Sequence, residues 1–163
     1  MIRYLAAAVA LKMFSLNGFT RMCYRSIGNQ LGQKKRSQQS VDKYIERGDL
    51  LVELASKNGV CEDGAKLVEL GTGWIHWFGV YLALHIKGES SLELYDVWDN
   101  RQLDALKTAF GKLEQNLGAV KRADMMQRDK LAAIQNVKSF EEFYKLFNAT
   151  YAINSDGSVS YTH

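Results

Sequence analysis

Residues 66–73 read KLVELGTG, an apolar run that ends in a carboxylate and two glycines. A strand feeding a glycine-rich turn that opens a helix is a ligand-binding device. Gly71 and Gly73 let the backbone turn tightly and leave no Cβ in the way of an approaching molecule. In dinucleotide sites, the helix N-terminus behind such a turn holds a pyrophosphate. Here the turn continues Trp74, Ile75, His76, so the third glycine of GxGxxG is missing, which weighs against a nicotinamide dinucleotide. Glu69, two residues before Gly71, suits a cationic or amino-bearing ligand better than a phosphate. A second acid, Asp96, closes the run Leu92, Glu93, Leu94, Tyr95 and follows Gly71 by 25 residues. That is close to the ~20 residues that separate glycine turn from ribose-binding acid in nucleotide-binding α/β folds. A carboxylate there can accept hydrogen bonds from both ribose hydroxyls, and Asp99 is the reserve candidate.

Each residue also has a plainer reading. A GTG after an apolar strand is more often a tight strand-to-helix turn. Glu69 could cap a helix, and Asp96 could cap one starting near Asn100. Trp74, Trp77 and Trp98 are more often packing residues than cofactor stackers. What favours a site is the joint order and spacing of the two acids and two glycines.

The elements that would position them can be read from periodicity. Residues 1–58 look helical throughout. Val41, Tyr44, Ile45, Leu51, Leu54 and Ala55 recur at helical spacing on one face, and Asn58 with Gly59 forms the stop. Residues 66–70 form a strand, and a long apolar helix follows Gly73 to about residue 86. Residues 91–97 alternate as a second strand. Residues 100–117 are helical, with Leu103, Leu106, Phe110, Leu113 and Leu117 on one face. A helix spans 140–147, with Ser139 as N-cap and Glu142 as its capping-box partner. A third short strand covers 151–153, before a turn at 155–158. Strand and helix alternating with short turns is the grammar of a parallel α/β sheet. Right-handed crossovers put the strand C-termini, and hence both acids, on one edge.

At 163 residues, 47% hydrophobic and 24% charged, the chain has a globular composition and the length of one core. A net charge of +3 demands no acidic partner, and the basic run Lys34, Lys35, Arg36 is a weak footprint for nucleic acid, which is not expected as a partner. Cys23 and Cys61 have no CxxC spacing, and His76, His85 and His163 are scattered, so neither a metal site nor a disulfide framework is expected. A reduced, cytoplasmic setting is the simpler inference. Residues 2–16 are too short an apolar stretch to span a bilayer. They read as an amphipathic or buried helix, with a peripheral membrane contact as the alternative.

With these residues in place, VELGTGW followed by LELYDVWDN resembles motifs I and II of the class I S-adenosylmethionine-dependent methyltransferases. The resemblance covers residues 60–120. The family's acid–x–glycine–x–glycine pattern falls on Glu69, Gly71 and Gly73, the turn that packs against the methionine part of the cofactor. The family's ribose-binding acid falls on Asp96. Thr72 and Val97 complete the implied cofactor contacts. The third glycine many members carry is Ile75 here. The resemblance implies a Rossmann-like parallel sheet with helices on both faces, preceded by a helical segment, 1–58. The cofactor domain, 59–163, is expected to be partial: three strands of a sheet that has seven in the family. It further implies S-adenosylmethionine as cofactor, with the acceptor and catalytic base unassigned. His76, Tyr95 and Asp99 lie near the edge, and none of them is assigned that role. The chain resembles the front portion of such an enzyme, ending before the fourth strand. It is therefore expected to be inactive alone, with an unpaired backbone edge along 66–70. The competing readings are a fragment of an NAD(P)-dependent oxidoreductase and a non-enzymatic helical interaction module.

Overall fold

The computed structural model describes residues 40–97 and 99–153. The expectations for the helix at 2–16, the basic run, Cys23, Trp98, the turn at 155–158 and His163 lie outside the described residues.

The described chain runs as helix α1 (Asp42–Lys57), strand β1 (Ala65–Leu70), α2 (Trp77–Ala83), β2 (Ser90–Asp96), α3 (Leu103–Gln115), α4 (Arg128–Ala133), α5 (Phe140–Leu146) and β3 (Ala149–Ile153), with 3₁₀ turns at Leu117–Ala119 and Ile134–Asn136. All three strands are parallel, in the spatial order β1-β2-β3. This is the α/β arrangement, an incomplete Rossmann-like sheet.

In each strand, alternate residues face the core. Leu67 pairs with Leu92 and Glu69 with Leu94 across the first ladder. Leu92 pairs with Ala149 and Leu94 with Tyr151 across the second. Helix α2 packs on β1 and β2, and α5 packs on β3. The other face carries Val68, Leu70, Glu93, Tyr95, Thr150 and Ala152, all exposed. Two successive right-handed crossovers in the same direction must place their helices on the same side. The helices expected on both faces are therefore met on one face among the described residues. A second layer needs a connection that reverses direction across the sheet.

Helix α1 presents Val41, Ile45, Gly48, Asp49, Val52 and Ala55 to the core. Leu54, expected on this face, is 50% exposed. The face is rotated because the Tyr81 ring lies against Gly48, where an added Cβ would come within 2.6 Å of it. Next to that contact, the Tyr81 hydroxyl donates to Asp49 Oδ1 at 2.8 Å. A buried acid is tolerated because its lone pairs are used: Lys121 N donates to Asp49 Oδ2 at 3.2 Å. Asn58 ends the helix by donating from Nδ2 to Leu54 O, and Gly59 follows with φ +68°.

The centre of the core is aromatic. Trp77 stacks on Phe110 with ring centroids 4.9 Å apart, and its indole donates to Tyr44 O at 3.1 Å, tying α2 to α3 and α1. Leu106, Phe110 and Leu113 are fully buried, as the period of α3 predicts, and each contributes about 1.5–3 kcal/mol by leaving water. Ser139 caps α5 by accepting from Glu142 N, while Glu142 reaches back to Lys138 N at 2.7 Å. No described helix is long and apolar enough to cross a membrane.

Candidate functional site

The glycine turn leaves β1 and stays attached to β2. Gly71 N donates to Tyr95 O at 2.8 Å, and Thr72 N shares the same carbonyl at 3.3 Å. The sheet ladder therefore runs one step past the strand before the backbone departs. Gly71 and Gly73 both adopt left-handed φ, +74° and +63°, and a Cβ built on either would meet nothing within 4 Å. These glycines answer a backbone requirement and border open space.

The turn then passes through His76, also left-handed at φ 48°, which starts α2 without a side-chain cap of its own. The cap comes from the strand. Glu69 Oε2 accepts from Gly79 N at 2.9 Å, and the Phe78 amide also bonds the carboxylate. The plainer reading of Glu69 thus describes its contacts: it satisfies the free amides at the start of α2. Burial dominates its electrostatics. Desolvation pushes its pKa up to about 7 despite the two amide bonds, and the nearby charge of Asp96 adds to the rise.

Asp96 braces the turn from β2. Its Oδ2 accepts from Gly73 N at 3.0 Å, and its Oδ1 accepts from Val97 N at 2.7 Å. A carboxylate offers about four acceptor positions, so each oxygen keeps one for a ligand. The side chain is partly exposed, as is Val97. Glu69, Gly71, Thr72, Gly73, Asp96 and Val97 are thus brought together at the C-terminal edge of two adjacent parallel strands. Among the described residues the ion pairs are Lys57–Glu53 and Arg101–Asp99, and neither Glu69 nor Asp96 belongs to one.

Thr72 is 6% exposed, and its Oγ1 has no hydrogen-bond partner. A buried hydroxyl without a partner carries a desolvation cost of about 1–3 kcal/mol.

Asp99 is built differently. Both its oxygens are taken by Arg101, from Nε at 2.8 Å and Nη2 at 2.7 Å, and this pairing holds the Asp99 pKa below the ordinary carboxylate range. The Arg101 guanidinium lies 4.5 Å from the Tyr151 ring centre and 5.2 Å from that of Phe140. Its Nη1 donates to the Tyr144 hydroxyl, which meets His76 Nε2 at 3.2 Å. Burial, reinforced by the Arg101 charge, lowers the His76 pKa to about 4, so its ring is neutral at physiological pH. His76 thus belongs to a packed aromatic cluster, and its ring does not project as a free base. The cluster gave no signal in the sequence, because His76, Arg101, Phe140, Tyr144 and Tyr151 lie far apart along the chain.

Gly79 was also missed. A Cβ there would come within 2.7 Å of Glu69 Oε2 and 2.9 Å of Leu92 Cδ1. It performs the close helix–strand packing that the third glycine serves in dinucleotide folds, three residues further along than GxGxxG places it. A small residue on the sheet-facing side of the helix was the available sign. Among the described residues, no group of three or more His, Cys, Asp or Glu could hold a metal ion. Comparison of the chain with protein-family models, with curated proteins and with solved structures finds no match.

Proposed function

We propose that the glycine turn and Asp96 form the cofactor site of an S-adenosylmethionine-dependent methyltransferase. The observation that carries the reading is the 3.0 Å bond from Gly73 N to Asp96. It joins the turn after β1 to the acid ending β2, as nucleotide-binding α/β folds do. The residues present suit this cofactor. The turn borders open space at Gly71 and Gly73, and two carboxylates that belong to no ion pair among the described residues favour a cation over a pyrophosphate.

In this reading, Asp96 keeps the turn in place through one set of lone pairs and receives the ribose hydroxyls with the other. Glu69 keeps α2 anchored behind the turn. Val97 offers apolar surface beside the ribose. The bound cofactor supplies a methyl group on a sulfonium, for in-line transfer to a nucleophile of the acceptor. The protein's part is to fix position and orientation, which lowers the barrier by making the step effectively unimolecular.

Equilibrium calorimetry tests the reading. S-adenosylmethionine and S-adenosylhomocysteine should bind saturably to the wild-type chain. Saturable binding of NADH with neither of these would replace the reading with the oxidoreductase one.

A further inference from the structure

We propose that the free edge of β1 is a homodimer seam, on which a second copy of this chain adds its own β1 antiparallel about a twofold axis, with Val68 opposite its counterpart. The inference is independent of the cofactor reading above, because it concerns the backbone edge and the open face of the sheet.

The backbone fixes the phase of that edge. Gly71 N donates to Tyr95 O, and Leu70 pairs with Tyr95 in the ladder. Along a strand, the N–H and C=O groups of successive residues point to alternate sides. Those of Leu67 and Glu69 therefore face β2, and those of Lys66, Val68 and Leu70 point away from it. Among the described residues no strand lies on that side of β1. A row of outward N–H and C=O groups is a template for another strand.

The same three residues place their side chains on the open face of the sheet. Val68 is 61% exposed and Leu70 68%, the highest values of any large apolar side chain among the described residues. The other edge differs, since β3 presents Thr150 and Ala152 to that face. A strand that suits β1 must offer outward groups at the same period and apolar surface beside Val68. A second β1 does both. In the register centred on Val68, that residue faces its counterpart, and Lys66 faces the Leu70 of the second copy, twice by symmetry. All the outward groups then meet outward groups, and each pair exchanges two backbone bonds. Registers shifted by one pleat leave one of the three residues without such a partner. Val68 gains a β-branched cross-strand neighbour, and Leu70 is covered by the alkyl stem of Lys66, whose ammonium stays in water. The contact is isologous, so it closes at two copies.

Sedimentation of the full chain should show a monomer–dimer equilibrium and no larger species. Val68→Lys sets like charges side by side across the axis and should weaken dimerisation at least about tenfold, with the circular dichroism unchanged. Cysteine substitution reads the register. In a hydrogen-bonded antiparallel pair the Cα atoms stand about 5.5 Å apart, within the roughly 4.4–6.8 Å span of a disulfide. Val68→Cys should therefore link two copies under mild oxidation. Lys66→Cys or Leu70→Cys alone should not, since each lies about 13 Å along the strand from its own counterpart, at about 3.3 Å per residue. The wild type, which already holds Cys23 and Cys61, sets the background. A wild-type chain that stays monomeric up to about 0.1 mM, well above the micromolar Kd of weak interfaces, would overturn the proposal. So would oligomers beyond the dimer, a dimer that Val68→Lys leaves intact, or cross-linking through position 68 no stronger than through 66 or 70. If Val68→Lys loses the fold, the Val68→Cys cross-link decides.

Discussion

Two neighbouring places on the same sheet edge are built in opposite ways. Around Arg101 the guanidinium is fully engaged, although His76 Nδ1 in the same cluster is buried without a partner. The guanidinium takes both oxygens of Asp99, lies against the rings of Tyr151 and Phe140, and reaches the Tyr144 hydroxyl, which bonds His76 in turn. Around Gly71 and Gly73, open space meets the backbone, two carboxylates belong to no ion pair among the described residues, and a buried hydroxyl has no partner. The first arrangement holds the loops that follow β2 against α5 and β3. The second has polar capacity left over.

The contrast can be broken first at its packed side. Phe143, fully buried among Phe140, Tyr144, Phe147 and His76, should cost about 3–5 kcal/mol of folding stability when replaced by alanine. Denaturant titration reads this directly, and a loss below 1 kcal/mol would mean that the cluster is not the packed body described.

The glycines sharpen the comparison. Gly79→Ala forces a Cβ against Glu69 and Leu92 and should cost about 1–3 kcal/mol. Gly73→Ala meets no neighbour, and only its left-handed φ opposes it, so about 1 kcal/mol is expected. Thermal melts that reverse this order would show that the turn is packed and that α2 is loose.

The two acids give the most specific difference. Asp96→Ala should weaken S-adenosylhomocysteine binding by about 1–3 kcal/mol, since it leaves ribose hydroxyls and Gly73 N unpaired. Asp99→Ala should change binding much less, because the Asp99 oxygens are already engaged by Arg101. Calorimetry showing the opposite order would move the ribose contact to Asp99.

What the sequence discloses here follows the range of its signals. Strands β1 and β2, helix α3 and the Ser139 cap rest on short-range patterns, and all could be placed to within a few residues. The glycine turn and Asp96 were also legible, because a strand, a turn and a strand-end acid have a fixed order. The rotated face of α1 was not. Gly48 and Asp49 look like surface residues until Tyr81 is placed against one and bonded to the other. The Arg101 cluster was hidden for the same reason, its members being joined only by the crossovers. The cap supplied by Glu69 could be named as an option, but choosing it required knowing that α2 begins at a left-handed His76 with no cap of its own.

The sheet's spatial order equals its order in the chain, and this bears on how it assembles. From β1 to β2 the chain must close a connection of 19 residues, 71–89; from β2 to β3 it must close one of 52, residues 97–148. For flexible segments the second closure is dearer in entropy by about 0.9 kcal/mol, (3/2)RT ln(52/19). The β1–α2–β2 unit is thus the easier one to form, and each later strand finds its neighbour already in place as the chain emerges during synthesis. Both braces of the glycine turn, Glu69 and Asp96, lie inside that first unit. The turn can therefore take its shape before β3 docks, and mutations in α4 or α5 should slow completion of the sheet more than formation of the turn.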